Sequence, residues 1–362
     1  MNFSPQSQSV RRQSVMSALP ENIDAALVTS DISRLYLTGL NSSAGTLLLT
    51  RDKAYLIIDS RYIEIARKTA AGCEVILQED VYAQLNGLFA SQNIKHLAIE
   101  NETMTIATLA KLKTKLTAQI DESAPLSGLI AALRQIKSRS EIACVQAAQD
   151  ITDKAFTHIL NYIKEGVTEI DIAAELEYFM RKAGAERISF DTIVAAGKNS
   201  SMPHAAPTSA KVKPVDLVTM DFGCVVSGYC SDMTRTVAVG KIGPDEKKVY
   251  DTVLRAQLEA IAAISISKTC DEIDKVARDI IDAAGYQGCF GHGLGHSVGL
   301  EIHEAPSFSP SCKDPVRIGH LMTVEPGIYL ETRFGCRIED MVYVTADGVV
   351  NLTKSPKELI IL

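Results

Sequence analysis

The sequence predicts two domains, an α/β domain over residues 1–130 and an α+β domain over 131–362 built from two related halves. Three observations carry this reading. A chain of 362 residues is too long for one ordinary core. Strand-like and helix-like segments alternate through its first third. The remainder holds a faint internal repeat whose acids and histidines fall in register.

In the first domain, AALVTS (25–30), GTLLLT (45–50), AYLIID (54–59), CEVILQ (73–78) and KHLAIE (95–100) have the length and apolar character of buried strands. Between them, SRYIEIARKTAA (60–71) and TIATLAKLKTKLT (105–117) carry helical spacing, with Thr105 placed as a cap. Alternation of this kind predicts a largely parallel sheet. No GxGxxG follows the first strand, so a dinucleotide site has no support. Residues 121–142 form the crossing: Pro125 and Gly128 open it, and Arg134, Lys137 and Arg139 precede a long amphipathic helix from about Ser140. The boundary belongs near residue 130.

The repeat sets EGVTEIDIAAELEYFMRKAGA (165–185) beside KTCDEIDKVARDIIDAAGY (268–286), each a capped helix ending at a glycine, Gly184 or Gly285. Each copy continues to a histidine near a proline, His204 or His303. Each then reaches an acid in a strand, Asp221 or Glu325, and a second acid soon after, Asp232 or Glu339. The separations, 11 and 14 residues (232 − 221 and 339 − 325), suit a strand, a turn and a returning strand. Side chains near the ends of such a hairpin meet across it. Two copies related by a pseudo-twofold therefore aim two carboxylate pairs at one point.

Composition narrows the function. Hydrophobic residues at 46% and charged residues at 22% fit a soluble globular protein, and a net charge of −7 opposes nucleic-acid binding. Eight cysteines are scattered without a CxxC, the pattern of reduced thiols in a cytosolic protein. Arg11-Arg12 invites comparison with an export signal, yet Pro20, Glu21, Asn22 and Asp24 interrupt any apolar stretch behind it. No run approaches 18 apolar residues, so no membrane span is expected and the localisation is cytoplasmic.

Asp221, Asp232, His296, Glu325 and Glu339 have the ligand types of a two-metal site. Carboxylate oxygens suit hard divalent cations, and one imidazole shifts preference toward manganese, cobalt, iron or zinc. Two cations about 3.5–4 Å apart need bridging carboxylates to screen their repulsion. In CFGHGLGHSVGLEIHEAP the spacing of His292 and His296 is that of a zinc helix, but Gly293 stands where a zincin has glutamate. The glycines there point instead to extended backbone packed against a site. One histidine of the run is a ligand and the others are donors to substrate. Arg337, two residues before Glu339, can hold a carboxylate in orientation. No GxSxG elbow or cysteine-nucleophile signature supports covalent hydrolysis.

At DFGCVVSGYCSDMTRT, GHGLGHSVGLEIHE, TVEPGIY and CRIEDMV, and at FDTIVAAG and MPHAAPT, the chain resembles the pita-bread metallopeptidases of the prolidase and aminopeptidase P branch. RLYLTGL and IIDSRYIEIA resemble the creatinase-type domain that precedes them. The resemblance implies that Asp221, Asp232, His296, Glu325 and Glu339 hold two divalent metal ions, manganese above cobalt or zinc, and that Asp232, Glu325 and Glu339 with His296 complete and bridge the pair. It implies that His204, His292 and His303 face the substrate, with Arg337 behind the ligands and Tyr329 near the site. Ser297 departs from the commoner GHG reading. A homodimer is implied, with no nucleic-acid or membrane partner.

The expected activity is therefore exopeptidase cleavage of the bond between an N-terminal residue and proline. Two metals would lower the pKa of a bridging water, and Glu325 would shuttle its proton. Dipeptidase and longer-peptide aminopeptidase activity remain equally open. Another amide hydrolase on this fold, or a non-catalytic binding protein, are the competing readings; retention of all five ligands opposes the latter.

Overall fold

In the computed structural model, which describes residues 5–362, the chain divides into two units, one ending at Arg134 and one beginning at Gln135. The first runs α1 (Pro5–Ala18), β1 (Ala25–Val28), α2 (Asp31–Thr38), β2 (Thr46–Thr50), β3 (Ala54–Ile58), α3 (Ile63–Thr69), β4 (Glu74–Leu77), α4 (Val81–Gln92), β5 (His96–Ile99), α5 (Ile106–Lys115), β6 (Gln119–Asp121) and α6 (Leu126–Gln135). All five expected strands form, and the Thr105 side chain caps α5 by accepting from the Thr108 amide.

The sheet is mixed rather than largely parallel. Its order is β4-β3-β2-β1-β5-β6, with three parallel pairings and two antiparallel ones, β1–β2 and β2–β3. The reason is local: β2 and β3 are joined by three residues, and a link that short can only turn the chain back on itself. Leu27, Leu48, Ile57, Leu85, Phe89, Leu97 and Ile99 build the core on this sheet. Arg11 and Arg12 are buried on α1. Their guanidiniums donate to Tyr36 O and Leu37 O, last-turn carbonyls of α2, and Arg12 also donates to Ala71 O beyond α3.

The second unit runs α7 (Arg139–Ile159), α8 (Glu169–Lys182), β7 (Arg187–Ile188), β8 (Ile193–Ala196), β9 (Leu217–Phe222), β10 (Cys224–Val226), β11 (Tyr229–Cys230) and β12 (Met233–Ala238). It continues with α9 (Pro244–Ala263), α10 (Cys270–Ala283), β13 (Gly295–Ser297), β14 (Glu304–Phe308), β15 (Leu321–Val324), β16 (Gly327–Leu330), β17 (Phe334–Arg337), β18 (Asp340–Thr345) and β19 (Gly348–Asn351).

The repeat is visible as two helix pairs, each covering its own antiparallel sheet. Helices α8 and α10 both start in capping boxes, at Thr168 and Thr269. Both end just before a glycine at positive φ, Gly184 or Gly285. Phe156, Ile172, Leu176 and Met180 pack onto Val218, Met220 and Phe222 of β9. In the second copy Val249, Val253, Ile273 and Ile281 pack with Met322 and Val324 of β15. Strand β9 pairs with β12 as β15 pairs with β18. The copies join where the Glu339 amide donates to Thr234 O at 3.0 Å.

Candidate metal centre

Each acid of the repeat sits where a strand of its hairpin begins or ends. Asp221 is the penultimate residue of β9 and Glu325 follows β15; Asp232 precedes β12 and Glu339 precedes β18. Facing them is His296, in the middle of β13. Gly295 allows this approach: a Cβ there would lie 2.1 Å from Thr323 O, so no side chain fits between the strands.

Ligand atoms of Asp232, His296 and Glu339 lie within 4.8 Å of one another. His296 Nε2 is 3.6 Å from Asp232 Oδ2 and 3.4 Å from Glu325 Oε1. Its Nδ1 is 3.2 Å from Ser297 O, a carbonyl that can only accept, so Nδ1 carries the proton and Nε2 turns its lone pair to the carboxylates. Asp221 is held through Oδ2 by Arg337 Nη2 at 2.7 Å. Burial drives the carboxyls of Asp232 and Glu339 well above the usual range, with neighbouring acids adding to the rise. Burial also takes Glu325 up to about 8, against the pull of Arg337. His296 is pushed down to about 4 by burial, helped by His303.

This donor set fits divalent cations. Asp221 Oδ1 and Glu339 Oε1 are buried without a hydrogen-bond partner. Two orphaned carboxylate oxygens beside a poised imidazole are costly unless a cation takes their lone pairs. The other Glu339 oxygen accepts from Thr234 Oγ1 at 2.8 Å, and Thr323 Oγ1 donates to Glu325 while accepting the His296 amide. Sequence reading missed both threonines. Their only signal was position, two residues from an acid along a strand.

The centre opens into a cavity of about 660 Å³. Nine of the ten expected site residues line it: Asp221, Asp232, His296, Glu325, Glu339, His204, His292, His303 and Arg337. Tyr329 stands behind this wall. Arg337 Nη1 donates to its hydroxyl at 2.8 Å, and that hydroxyl donates to His292 Nε2 at 2.9 Å. His292 Nδ1 in turn donates to Gly293 O at 2.8 Å, so both of its ring nitrogens are engaged. Burial, reinforced by Arg337, takes His292 down to about 4 and keeps it neutral. The His303 ring lies edge-on to His296, centroids 4.4 Å apart.

Residues 143–346 match metallopeptidase family M24, and residues 11–136 match the creatinase/prolidase N-terminal domain. A solved Xaa-Pro dipeptidase from Bacillus anthracis is 41% identical with a TM-score of 0.94, covering 98% of this chain and 100% of that one. A solved X-Pro aminopeptidase from Thermotoga maritima is 34% identical with a TM-score of 0.88, covering 94% and 98%. The Xaa-Pro dipeptidase of Pyrococcus horikoshii is 36% identical over 94% of this chain and 95% of its own. Fold and centre together make the chain a metallopeptidase. It belongs to family M24, with the pita-bread catalytic domain preceded by a creatinase/prolidase N-terminal domain.

Proposed function

We propose that this enzyme removes the N-terminal residue from peptides with proline in second position, using two divalent ions, manganese by preference. The observation that carries the reading is the cluster of Asp232, His296 and Glu339, with Asp221 and Glu325 lining the same histidine-walled cavity and with Asp221 Oδ1 and Glu339 Oε1 buried without a partner. Relatives titled Xaa-Pro dipeptidase and X-Pro aminopeptidase support the substrate class.

Asp221, Asp232, His296, Glu325 and Glu339 would hold the ions. Bound there, the ions supply Lewis acidity and make water nucleophilic near neutral pH. The rest falls to the chain. Glu325 takes the proton of the attacking water and delivers it to the prolyl nitrogen, which carries no hydrogen of its own in the peptide. His204 and His303 donate to the scissile carbonyl as negative charge develops on its oxygen. His292, engaged at both nitrogens, instead stiffens the wall through Tyr329 and Arg337. The family resemblance supports a homodimer, the net charge of −7 opposes a nucleic-acid partner and the scattered cysteines suit the cytoplasm; among the described residues no helix is long and apolar enough to cross a membrane.

Protein stripped with a chelator is expected to be inactive. Manganese should restore cleavage of Xaa-Pro dipeptides or Xaa-Pro-Yaa tripeptides but not of their N-acetylated forms. Chelator-resistant activity, or equal turnover of the acetylated peptide, would refute the assignment. His303→Ala is expected to lower kcat about 10²–10³-fold, the scale of a lost oxyanion donor. Metal content measured on the same variant should stay at the wild-type level. A variant that loses metal would show that His303 is itself a ligand.

A further inference from the structure

Among the buried charges outside the ligand set, Lys137 reaches the strand that bears His296. Lys137 precedes the Ser138 cap of α7, and its side chain is 1% exposed. Its backbone is pinned: the amide donates to Gly319 O at 2.8 Å and the carbonyl accepts from Tyr343 Oη at 3.4 Å. Lys137 Nζ donates to Glu304 Oε2 at 2.8 Å and to Ser297 Oγ at 3.2 Å. Ser297 follows His296, and Glu304 follows His303. The two acceptors are also strand partners, facing each other across β13 and β14 beside a bulge between His296 and Ser297.

The loop 298–303 that joins these strands is closed on the same ion pair. Glu304 Oε1 accepts the Glu301 amide at 3.2 Å. A Cβ on Gly299 would stand 2.5–2.6 Å from the Glu304 carboxyl, so the carboxylate lies directly on the glycine backbone. Gly299 O accepts the amide of Cys230, two residues before Asp232, at 2.8 Å. One ammonium thus ties together the strand bearing His296, the loop bearing His303 and the approach to Asp232. A buried ion pair contributes little net stability, whereas loss of one partner leaves the other charged and unsatisfied. Placing one here therefore serves geometry more than stability.

We infer that Lys137 is a positioning residue for the centre: through Glu304 and Ser297 its Nζ fixes the bulge and loop that orient the imidazoles of His296 and His303. The inference rests on the assignment of those two histidines made above. Residues acting through a ligand in this way typically alter metal affinity or activity about 10–100-fold.

The test compares Lys137→Met and the neutral pair Lys137→Met/Glu304→Gln with wild type. Manganese affinity is measured by calorimetry, and kcat and KM on an Xaa-Pro peptide. The double variant removes the stranded carboxylate, so its melting temperature should recover toward wild type even where the single variant folds poorly. Its manganese affinity and kcat should stay about 10-fold or more below wild type, with KM little changed. Wild-type affinity and kcat in the double variant would overturn the inference and leave the pair a matter of charge balance. Should wild type prove inactive on Xaa-Pro peptides, the substrate reading fails, while the manganese titration still decides the role of Lys137.

Discussion

Asp232→Asn is expected to abolish turnover, by about 10³-fold or more, and to reduce bound metal in the purified protein. The magnitude follows from losing several kcal/mol of charge stabilisation at about 1.4 kcal/mol per tenfold in rate. Asp232 is buried and feels Glu339, Asp221 and Glu325 together. Its carboxylate is therefore a liability without metal and an asset with it. Metal-free Asp232→Asn should melt at or above metal-free wild type, while manganese raises the melting temperature of wild type far more than that of the variant. Activity and metal content near wild type would remove Asp232 from the ligand set. A variant that melts lower than wild type under chelator would show that this carboxyl stabilises the empty fold.

The second large effect is a pH dependence that reverses with metal. In the chelated protein, burial raises Glu325 from 4.5 to about 8 and moves Asp232 and Glu339 the same way. A carboxyl raised on folding contributes stability that is complete below its unfolded pKa and lost as pH climbs through its folded value. His292, His296 and His320, lowered from 6.5 to about 4, act oppositely, with an effect that has faded by about pH 7.5. Between pH 6.5 and 8 the three carboxyls outweigh them. Glu325 by itself gives a slope of up to about 1.4 kcal/mol per pH unit. Chelated enzyme should melt a few degrees lower at pH 8 than at pH 6.5, about 2–5 °C. Excess manganese should invert the trend, because protons and metal compete for the same oxygens. A chelated protein whose melting point is flat or rises over that interval would contradict the burial of these acids.

The legible parts of this chain were those where chemistry repeats locally. Thr168 and Thr269, each before an acid-rich turn and a closing glycine, announced two equivalent helices, and both form capping boxes. Apolar runs of strand length marked the N-terminal sheet, but direction depends on connection length. The short β2–β3 link made part of that sheet antiparallel. Helices α1, α2 and α4 were not foreseen; α2, for one, is fixed by contacts such as those of Arg11 and Arg12, 25 residues away in sequence.

At the centre, acids and histidines stood out because charge in a strand needs a reason. Thr234 and Thr323 did not, since a threonine in a strand is ordinary. What sets Thr234 apart is a bond to Glu339, 105 positions distant. The engagement of His292 through Tyr329 was equally hidden, because it depends on which way a ring turns.

The doubling of the catalytic unit carries a further implication. A chain carrying only one copy of the repeat could close the same centre only as an isologous pair, with the rotation axis through the carboxylates. Both ions would then have identical surroundings by symmetry. Fusion into one chain lifts that constraint, and the lapse is visible at one position. Thr219, two residues before Asp221, pairs with Ala195 in the first copy, whereas Thr323, two before Glu325, receives the amide of His296 in the second. Methyl and imidazole thus occupy corresponding places. Two ions held here would therefore meet unequal surroundings, and calorimetric titration of the chelated protein with manganese is expected to show two binding steps of distinct affinity; a single step for both ions would contradict it.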